Sequence, residues 1–159
     1  MRVAALSHSL LYAGGPSDAV DLYDTATRIF STARLSVGRS SLAAASVGDL
    51  AIFAGGRDAN GYSKAVDIYN CTSKTWATAQ LSQARANPAA AFARDTAIFA
   101  GGYLDIYLRS NVVDLYNIVT RVWSTSQLSV PRANLVGVSV RDFAMFAGGD
   151  VIGVFFVFE

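Results

Sequence analysis

The sequence holds few residues that could perform chemistry on a substrate. His8 is the single histidine and Cys71 the single cysteine among 159 residues. A catalytic thiol needs a base and an orienting group, and a metal site needs clustered histidine, cysteine or carboxylate ligands. The sequence supplies neither set, so we predict a chain that is not an enzyme, with no catalytic residue, no metal and no cofactor. His8 is interpreted as a turn residue and Cys71 as an idle thiol.

One carboxylate recurs in a fixed context. Three aspartates stand inside the pattern Val-Asp-Leu/Ile-Tyr, at Asp21, Asp67 and Asp114. Such a set could be taken for a ligand-binding ring. Its presence in each of these three copies favours a structural role within each repeated unit.

A second charged position recurs with the same regularity. The pattern Leu-Ser-x-x-Arg ends at Arg39, Arg85 and Arg132. Two interpretations stay open for these arginines. They satisfy backbone carbonyls at the entry to a strand or pair with a carboxylate of the next unit, or they bind a partner at the surface. We therefore keep all three among the candidate binding residues.

The elements that position these residues belong to an internal repeat. An aromatic residue, an alanine and two glycines follow an apolar run four times, with the glycines at Gly14-Gly15, Gly55-Gly56, Gly101-Gly102 and Gly148-Gly149. A tyrosine follows in three copies, and a second aromatic residue stands seven positions later, in the pairs Tyr23 and Phe30, Tyr69 and Trp76, and Tyr116 and Trp123. A period in the forties predicts a repeat architecture. We assign structural roles to these glycines and rings.

Each copy divides into four short segments, which we name strands A to D in chain order. In the second copy they are 41–47, 50–54, a segment around Val66-Asp67-Ile68-Tyr69, and 75–78. Runs of four to eight residues bounded by turn formers predict β-strands. Four antiparallel strands in each repeat of forty-odd residues are typical of a β-propeller blade. The small residues of strand A suit the crowded centre of such a fold, and we predict no helix.

The chain resembles the kelch-repeat family. The resemblance rests on the apolar strand, the double glycine, the variable loop, the tyrosine and the later tryptophan, and it covers about residues 1–149. It implies an all-β fold, a partial β-propeller of kelch-type four-stranded antiparallel blades that serves as an interaction module. Phe30 departs from the pattern because a tryptophan is usual at its position, and we expect it to pack between blades as the tryptophans do.

The repeat predicts a single domain with an incomplete ring. The blades span about 1–36, 37–82 and 83–129, and a partial blade spans 130–159. The tail from Asp150 to Glu159 is apolar enough for a third strand but lacks the Val-Asp-x-Tyr pattern. Propellers close with four to eight blades, so about three and a half blades leave two open edges. We expect a fragment of a longer propeller or a chain that completes itself by association, and the total blade number stays open.

The connections between strands B and C differ most between copies. Loops on a rigid scaffold are where recognition is usually placed, and in a four-stranded antiparallel blade they share a face with the recurrent arginines. The candidate binding residues in these loops are Arg57, Asp58, Asn60, Tyr62, Lys64, Tyr103, Asp105, Tyr107 and Arg109.

Three functions remain open from the sequence. The first is a non-enzymatic module that binds a protein or peptide through the B–C loop face. The second is the propeller portion of a galactose-oxidase-like enzyme whose catalytic residues lie outside this chain. The third is a structural fragment that associates with itself through open blade edges.

The net charge and the apolar runs of the sequence limit the classes of partner that we expect. The net charge of +1 gives no reason to expect nucleic acid, and no apolar run is long enough for a membrane helix. The single cysteine is compatible with a reducing compartment, so the cytoplasm is favoured, although the compartment stays open.

Overall fold

The computed structural model describes residues 2–6, 9–13 and 17–151, and side chains from residue 17 onward. His8, Gly14, Gly15 and the predicted tail strand after Val151 lie outside the described residues. All described elements are β-strands, and no helix occurs among them. The strands are β1 (Arg2–Leu6), β2 (Ser9–Ala13), β3 (Ala19–Asp24), β4 (Ile29–Arg34), β5 (Ala43–Val47), β6 (Leu50–Ala54), β7 (Arg57–Asp58), β8 (Gly61–Tyr62), β9 (Ala65–Asn70), β10 (Thr75–Gln80), β11 (Ala89–Ala93), β12 (Thr96–Ala100), β13 (Val112–Asn117), β14 (Val122–Gln127), β15 (Val136–Val140) and β16 (Phe143–Ala147).

These strands form three complete blades and part of a fourth. Blade 1 has the order β1-β2-β3-β4, blade 2 the order β5-β6-β9-β10, and blade 3 the order β11-β12-β13-β14. Blade 4 is the pair β15-β16 in the described chain, and β7-β8 is a small separate hairpin. Every pairing is antiparallel. The chain is therefore a partial, open β-propeller, as the repeat predicts.

The inner strands of consecutive blades contact one another. β5 lies against β1 and β11, and β11 lies against β15. Ala43 and Ala45 of β5 and Ala89 and Ala91 of β11 are buried at these contacts. Small side chains let the strands converge at the centre of the fold, which explains the alanine content of strand A.

The aromatic residues of strands C and D fill the wedges between blades. The rings of Tyr69 and Trp76 lie 4.9 Å apart and pack on a core cluster that includes Val20 of blade 1. Tyr116 and Trp123 have the same 4.9 Å separation and pack on the core of blade 2. These rings bury apolar surface that a lone blade would expose to water.

Phe30 departs from the expected packing between blades. Its ring lies 4.7 Å from that of Tyr23, as in the other blades, but its side chain is 64% exposed. The prediction for Phe30 is wrong in this structure because the described residues place no blade against that side of blade 1.

Two close contacts explain the glycine pairs. Gly55 and Gly56 have φ of 68° and 109°, where residues with a Cβ are strained. A Cβ on Gly55 would lie 2.6 Å from the Arg85 carbonyl oxygen of the following linker, and one on Gly56 would lie 2.5 Å from the Ser40 carbonyl oxygen. The Gly56 N–H also donates to the Arg85 carbonyl, 2.8 Å away. The first glycine thus lets the next linker approach, and the second joins the two blades by a hydrogen bond.

Candidate functional site

The recurrent arginine of blade 2 is buried together with the recurrent aspartate. Arg39 lies in the linker before β5 and has no exposed surface, and its guanidinium donates to Asp67 on β9. It also donates to the Gly55 carbonyl oxygen at 2.8 Å. The other Asp67 oxygen accepts the Ser36 N–H at 2.9 Å. One side chain thereby ties a linker to strand C and to the end of strand B.

Blade 3 repeats this arrangement. Arg85 donates to Asp114 at 2.6 Å and to the Phe99 carbonyl oxygen at 3.1 Å. The Ser82 N–H donates to the second Asp114 oxygen at 3.0 Å. Burial lowers the pKa of the Arg85 guanidinium below its ordinary value, and the neighbouring Asp114 carboxylate opposes part of that shift.

These contacts correct the binding role included for two arginines. Arg39 and Arg85 are fully buried, so their side chains cannot meet a partner on the surface. The expected pairing with the next blade is also wrong, because each arginine bonds the aspartate of its own blade. The structural role predicted for Asp67 and Asp114 is confirmed. Asp21 of blade 1 is exposed and forms no such pair among the described residues.

Arg132 occupies the matching position in blade 4 and remains half-buried. Its guanidinium donates to the carbonyl oxygens of Phe146 at 3.3 Å and Gly148 at 3.2 Å. Within the described part of blade 4 no carboxylate pairs with it. Arg132 therefore combines the geometry of the buried arginines with partial access to solvent.

The B–C loops and the linkers lie on one face, as predicted. Ser40 of the linker and Arg57 of the loop exchange two backbone hydrogen bonds of 2.8 Å. Ala86 and Tyr103 form the same bridge in blade 3, and Ala133 with Asp150 form it in blade 4. We call this surface the B–C face. The opposite face holds the A–B and C–D turns, where Thr72 donates to Asp49 at 2.8 Å.

In blade 2 the B–C loop forms the hairpin β7-β8. The Arg57 guanidinium lies 5.0 Å from the centre of the Tyr62 ring, a cation–π distance. The Asp58 carboxylate accepts the Asn60 N–H at 2.7 Å and fixes the turn. Lys64 is exposed just beyond the hairpin.

Two grooves flank this hairpin. One has a volume of about 690 Å³ and runs between the hairpin, the linker at Ser36-Val37 and the end of β10. The other, of about 630 Å³, lies between the hairpin and the linker at 37–41. Asp58 and Asn60 line both grooves. The structure thus brings together four of the five predicted residues of this loop, Asp58, Asn60, Tyr62 and Lys64, in the larger groove, and Arg57 lines the smaller one.

In blade 3 the longer B–C loop is clamped at its base. Asp150 accepts hydrogen bonds from Tyr103 Oη at 2.8 Å and from Arg109 Nη2 at 2.8 Å. Asn134 Nδ2 donates to the other Asp150 oxygen at 2.9 Å and to Tyr103 Oη at 2.8 Å. The Arg109 guanidinium also lies 4.9 Å from the centre of the Tyr103 ring. Partial burial raises the pKa of Asp150, but the hydrogen bonds from Arg109, Tyr103 and Asn134 outweigh it and lower the pKa overall.

The tip of the same loop is a tight turn, and Arg109 Nη1 of the clamp donates to the Tyr107 carbonyl oxygen at 2.6 Å. Asp105 Oδ1 accepts the N–H groups of Tyr107 and Leu108, both at 2.6 Å, and closes the turn. Ile106, Tyr107 and Leu108 are 66%, 73% and 49% exposed. A fixed turn therefore presents three apolar or aromatic side chains to solvent.

Two residues of this clamp are absent from the predicted site. Asp150 falls in the predicted tail, and Asn134 carries no predicted role. Asp150 follows the fourth glycine pair directly, as Arg57 and Tyr103 follow the second and third pairs. That alignment is the signal in the sequence for a residue that bridges to the linker.

No group of three or more histidine, cysteine or acidic residues in the described ranges is placed to hold a metal ion. The same ranges contain no helix of the length and hydropathy needed to cross a bilayer.

Comparison with known proteins informs the fold alone. No protein-family model matches the sequence, and no curated protein matches it. Among solved structures, the chain is similar to the one titled "Structure of YjhT", with a TM-score of 0.73 and 16% sequence identity. The match covers 92% of this chain and 57% of that one, so the chain spans little more than half the length of this structural neighbour. The similarity supports a β-sheet repeat fold of the propeller type.

Proposed function

We propose that the chain is part of a kelch-type propeller and acts as a non-enzymatic module that binds a protein or peptide through the B–C face. The observation that carries this proposal is the loop tip of blade 3. Exposed Ile106, Tyr107 and Leu108 stand on a turn fixed by Asp105 and on a base fixed by Asp150. Clustered apolar and aromatic side chains that are already ordered lose little entropy on binding, which is typical of interface anchors.

The grooves beside the blade 2 hairpin support the same face. They offer an amide, a carboxylate, an ammonium group and a tyrosine ring from Asn60, Asp58, Lys64 and Tyr62. This mixture suits the polar backbone and varied side chains of a polypeptide. The hairpin is also held to the linker by backbone bonds next to the buried Arg39, so the groove walls are positioned before binding.

A selection with random peptides tests this proposal and works with an unidentified partner. Twelve-residue peptides displayed on phage are selected against the full chain, and the affinity of selected peptides is measured by fluorescence anisotropy. Tyr107→Ala or Lys64→Ala should weaken a selected peptide by about tenfold or more, equivalent to about 1.4 kcal/mol.

Val119→Ala is the matched control for Tyr107→Ala. Val119 belongs to the C–D turn of the same blade, on the opposite face, and is 70% exposed, close to the 73% of Tyr107. Its substitution should leave affinity within about twofold. Peptides that respond to Val119→Ala and to neither B–C face variant would contradict the proposal.

A further inference from the structure

The outer edge of β16 matches an edge that the complete blades fill with strand C. In blade 2 the strand β9 pairs with that edge of β6, and in blade 3 the strand β13 pairs with that edge of β12. In blade 4, β16 pairs with β15 on its inner side, and no described strand pairs with its outer side. An open edge of this kind can add a strand from another polypeptide segment.

Blade 4 also carries the donors that hold the strand C aspartate elsewhere. In blade 3 Asp114 lies opposite Phe99 and accepts from Arg85 and from the Ser82 N–H. Arg132 and Ser129 stand at the same positions of the following Leu-Ser-x-x-Arg linker.

The Arg132 guanidinium is already placed to receive a carboxylate. It bonds the Phe146 carbonyl oxygen at 3.3 Å, as Arg85 bonds the Phe99 carbonyl oxygen at 3.1 Å. Ser129 forms no hydrogen bond from its N–H within the described chain, whereas Ser82 donates its N–H to Asp114. The β16 edge therefore offers the Arg132 guanidinium and the Ser129 N–H to a carboxylate that lies opposite Phe146.

The neighbouring side chains define what should flank that carboxylate. In blade 2 Val66 and Ile68 of strand C lie opposite Ala54 and Ile52. The corresponding residues of blade 4 are Ala147 and Met145, and Met145 is 48% exposed. Apolar side chains beside the aspartate would extend this apolar surface, with a favourable burial on the order of 25 cal/mol per Å².

We propose that the β16 edge binds an extended polypeptide strand that carries an aspartate opposite Phe146. In this bound strand, apolar residues lie opposite Ala147 and Met145, and a tyrosine lies opposite Ala144, as Tyr116 lies opposite Ala97 in blade 3. The aspartate pairs with Arg132 and accepts the Ser129 N–H. Arg132 and Ser129 belong to a linker at the B–C face, but the bound strand pairs along β16. The proposal therefore does not depend on the function proposed for the loops of that face.

A peptide copied from the chain's own strand C is the probe. Fluorescein-labelled Ser-Asn-Val-Val-Asp-Leu-Tyr-Asn, the sequence of residues 110–117, is titrated with the full chain by fluorescence anisotropy. A second peptide has asparagine in place of aspartate. We expect the aspartate peptide to bind, and the asparagine peptide to bind at least about tenfold more weakly, because a charge-assisted bond is lost.

Variants of the chain locate the binding. Arg132→Met should abolish the difference between the two peptides, while Arg132→Lys should retain part of it. Arg34→Met is the control, because Arg34 lies on β4 of blade 1 and its side chain is 78% exposed. Equal affinity for the two peptides, or loss of discrimination with Arg34→Met, would overturn the proposal. Failure of the wild-type chain to bind either peptide would overturn it as well.

Discussion

Two arginine–aspartate pairs with similar N–O distances involve residues of blade 3 and occupy contrasting environments. Arg85 and Asp114 lie 2.6 Å apart with side chains 0% and 3% exposed. Arg109 and Asp150 lie 2.8 Å apart with side chains 16% and 37% exposed. The first pair recurs in blade 2 as Arg39 and Asp67, whereas the second has no counterpart there. We call the strands, the glycine pairs and the buried arginine–aspartate pairs the frame, because the repeated motifs encode them. The exposed pair belongs instead to a loop whose sequence differs from blade to blade.

Breaking the buried pair should have the strongest consequence. Arg85→Met leaves the Asp114 carboxylate buried without its partner, which should lower the free energy of unfolding by about 3–5 kcal/mol. Urea denaturation followed by tryptophan fluorescence measures this loss.

Arg109→Met is the matched substitution in the exposed pair. Water can solvate the Asp150 carboxylate, so the expected loss is about 1 kcal/mol or less. Equal losses for the two variants would show that the frame and the loop are not energetically distinct.

The second prediction compares the same glycine in two blades. Gly101 and Gly148 have φ of 66° and 67°, so alanine strains the backbone equally at both positions. A Cβ at Gly101 would also overlap the Arg132 carbonyl oxygen, while none of the described atoms lies within 4 Å of a Cβ at Gly148. We expect Gly101→Ala to cost about 3 kcal/mol and Gly148→Ala about 1 kcal/mol.

Thermal unfolding of both glycine variants measures this difference. Because the backbone strain is equal at the two positions, the difference in stability between the two variants measures the contact between consecutive blades. A Gly148→Ala variant as unstable as Gly101→Ala would mean that the linker carbonyl does not control the requirement for glycine.

The pH dependence of the loop clamp should be the weakest of these effects. The hydrogen bonds to Asp150 lower its pKa below the ordinary value of 3.8. A carboxylate with a lowered pKa in the folded state stabilises that state above its ordinary pKa, and this contribution is lost as the pH falls through the folded-state value. Asp150→Asn should therefore lower Tm at a pH of about 6, and the gap from wild type should close below pH 3.8.

Tyr103→Phe provides a graded control for this pH dependence. It removes one of the hydrogen bonds to Asp150 and keeps the one from Arg109. The difference in Tm from wild type should therefore be smaller than for Asp150→Asn and should disappear over the same pH range. A difference in Tm between variant and wild type that grows as the pH falls would contradict the assignment of Asp150 as a charged acceptor.

The sequence predicts the frame well because the frame is periodic. The glycine pairs, the tyrosines and the tryptophans mark the strands, and the alanines of strand A mark the centre. The partner of each arginine is not predictable with the same certainty, because a second aspartate position also recurs. It lies five residues before the alanine of the glycine motif, at Asp49, Asp95 and Asp142. The pairing of β6 with β9 decides the partner, because it places Asp67 opposite Phe53 beside the linker.

The loop clamp lies beyond what periodicity can predict. Arg109 and Asp150 are 41 residues apart in sequence and belong to different blades. Their contact depends on how blade 4 packs against blade 3. The recurrence of Asp21 likewise predicts a role that the structure gives only to Asp67 and Asp114, since Asp21 is exposed.

Amide hydrogen exchange at three equivalent glycines is the sharpest test of how the blades pack. Gly56 N–H donates to the Arg85 carbonyl at 2.8 Å and Gly102 N–H to the Arg132 carbonyl at 3.0 Å, so each bond joins consecutive blades. Gly149 forms no such bond to a described residue. If blades pack side by side through these bonds, Gly56 and Gly102 exchange slowly and Gly149 exchanges fast. Equal, fast exchange at all three would contradict the packing of blades on which the frame depends.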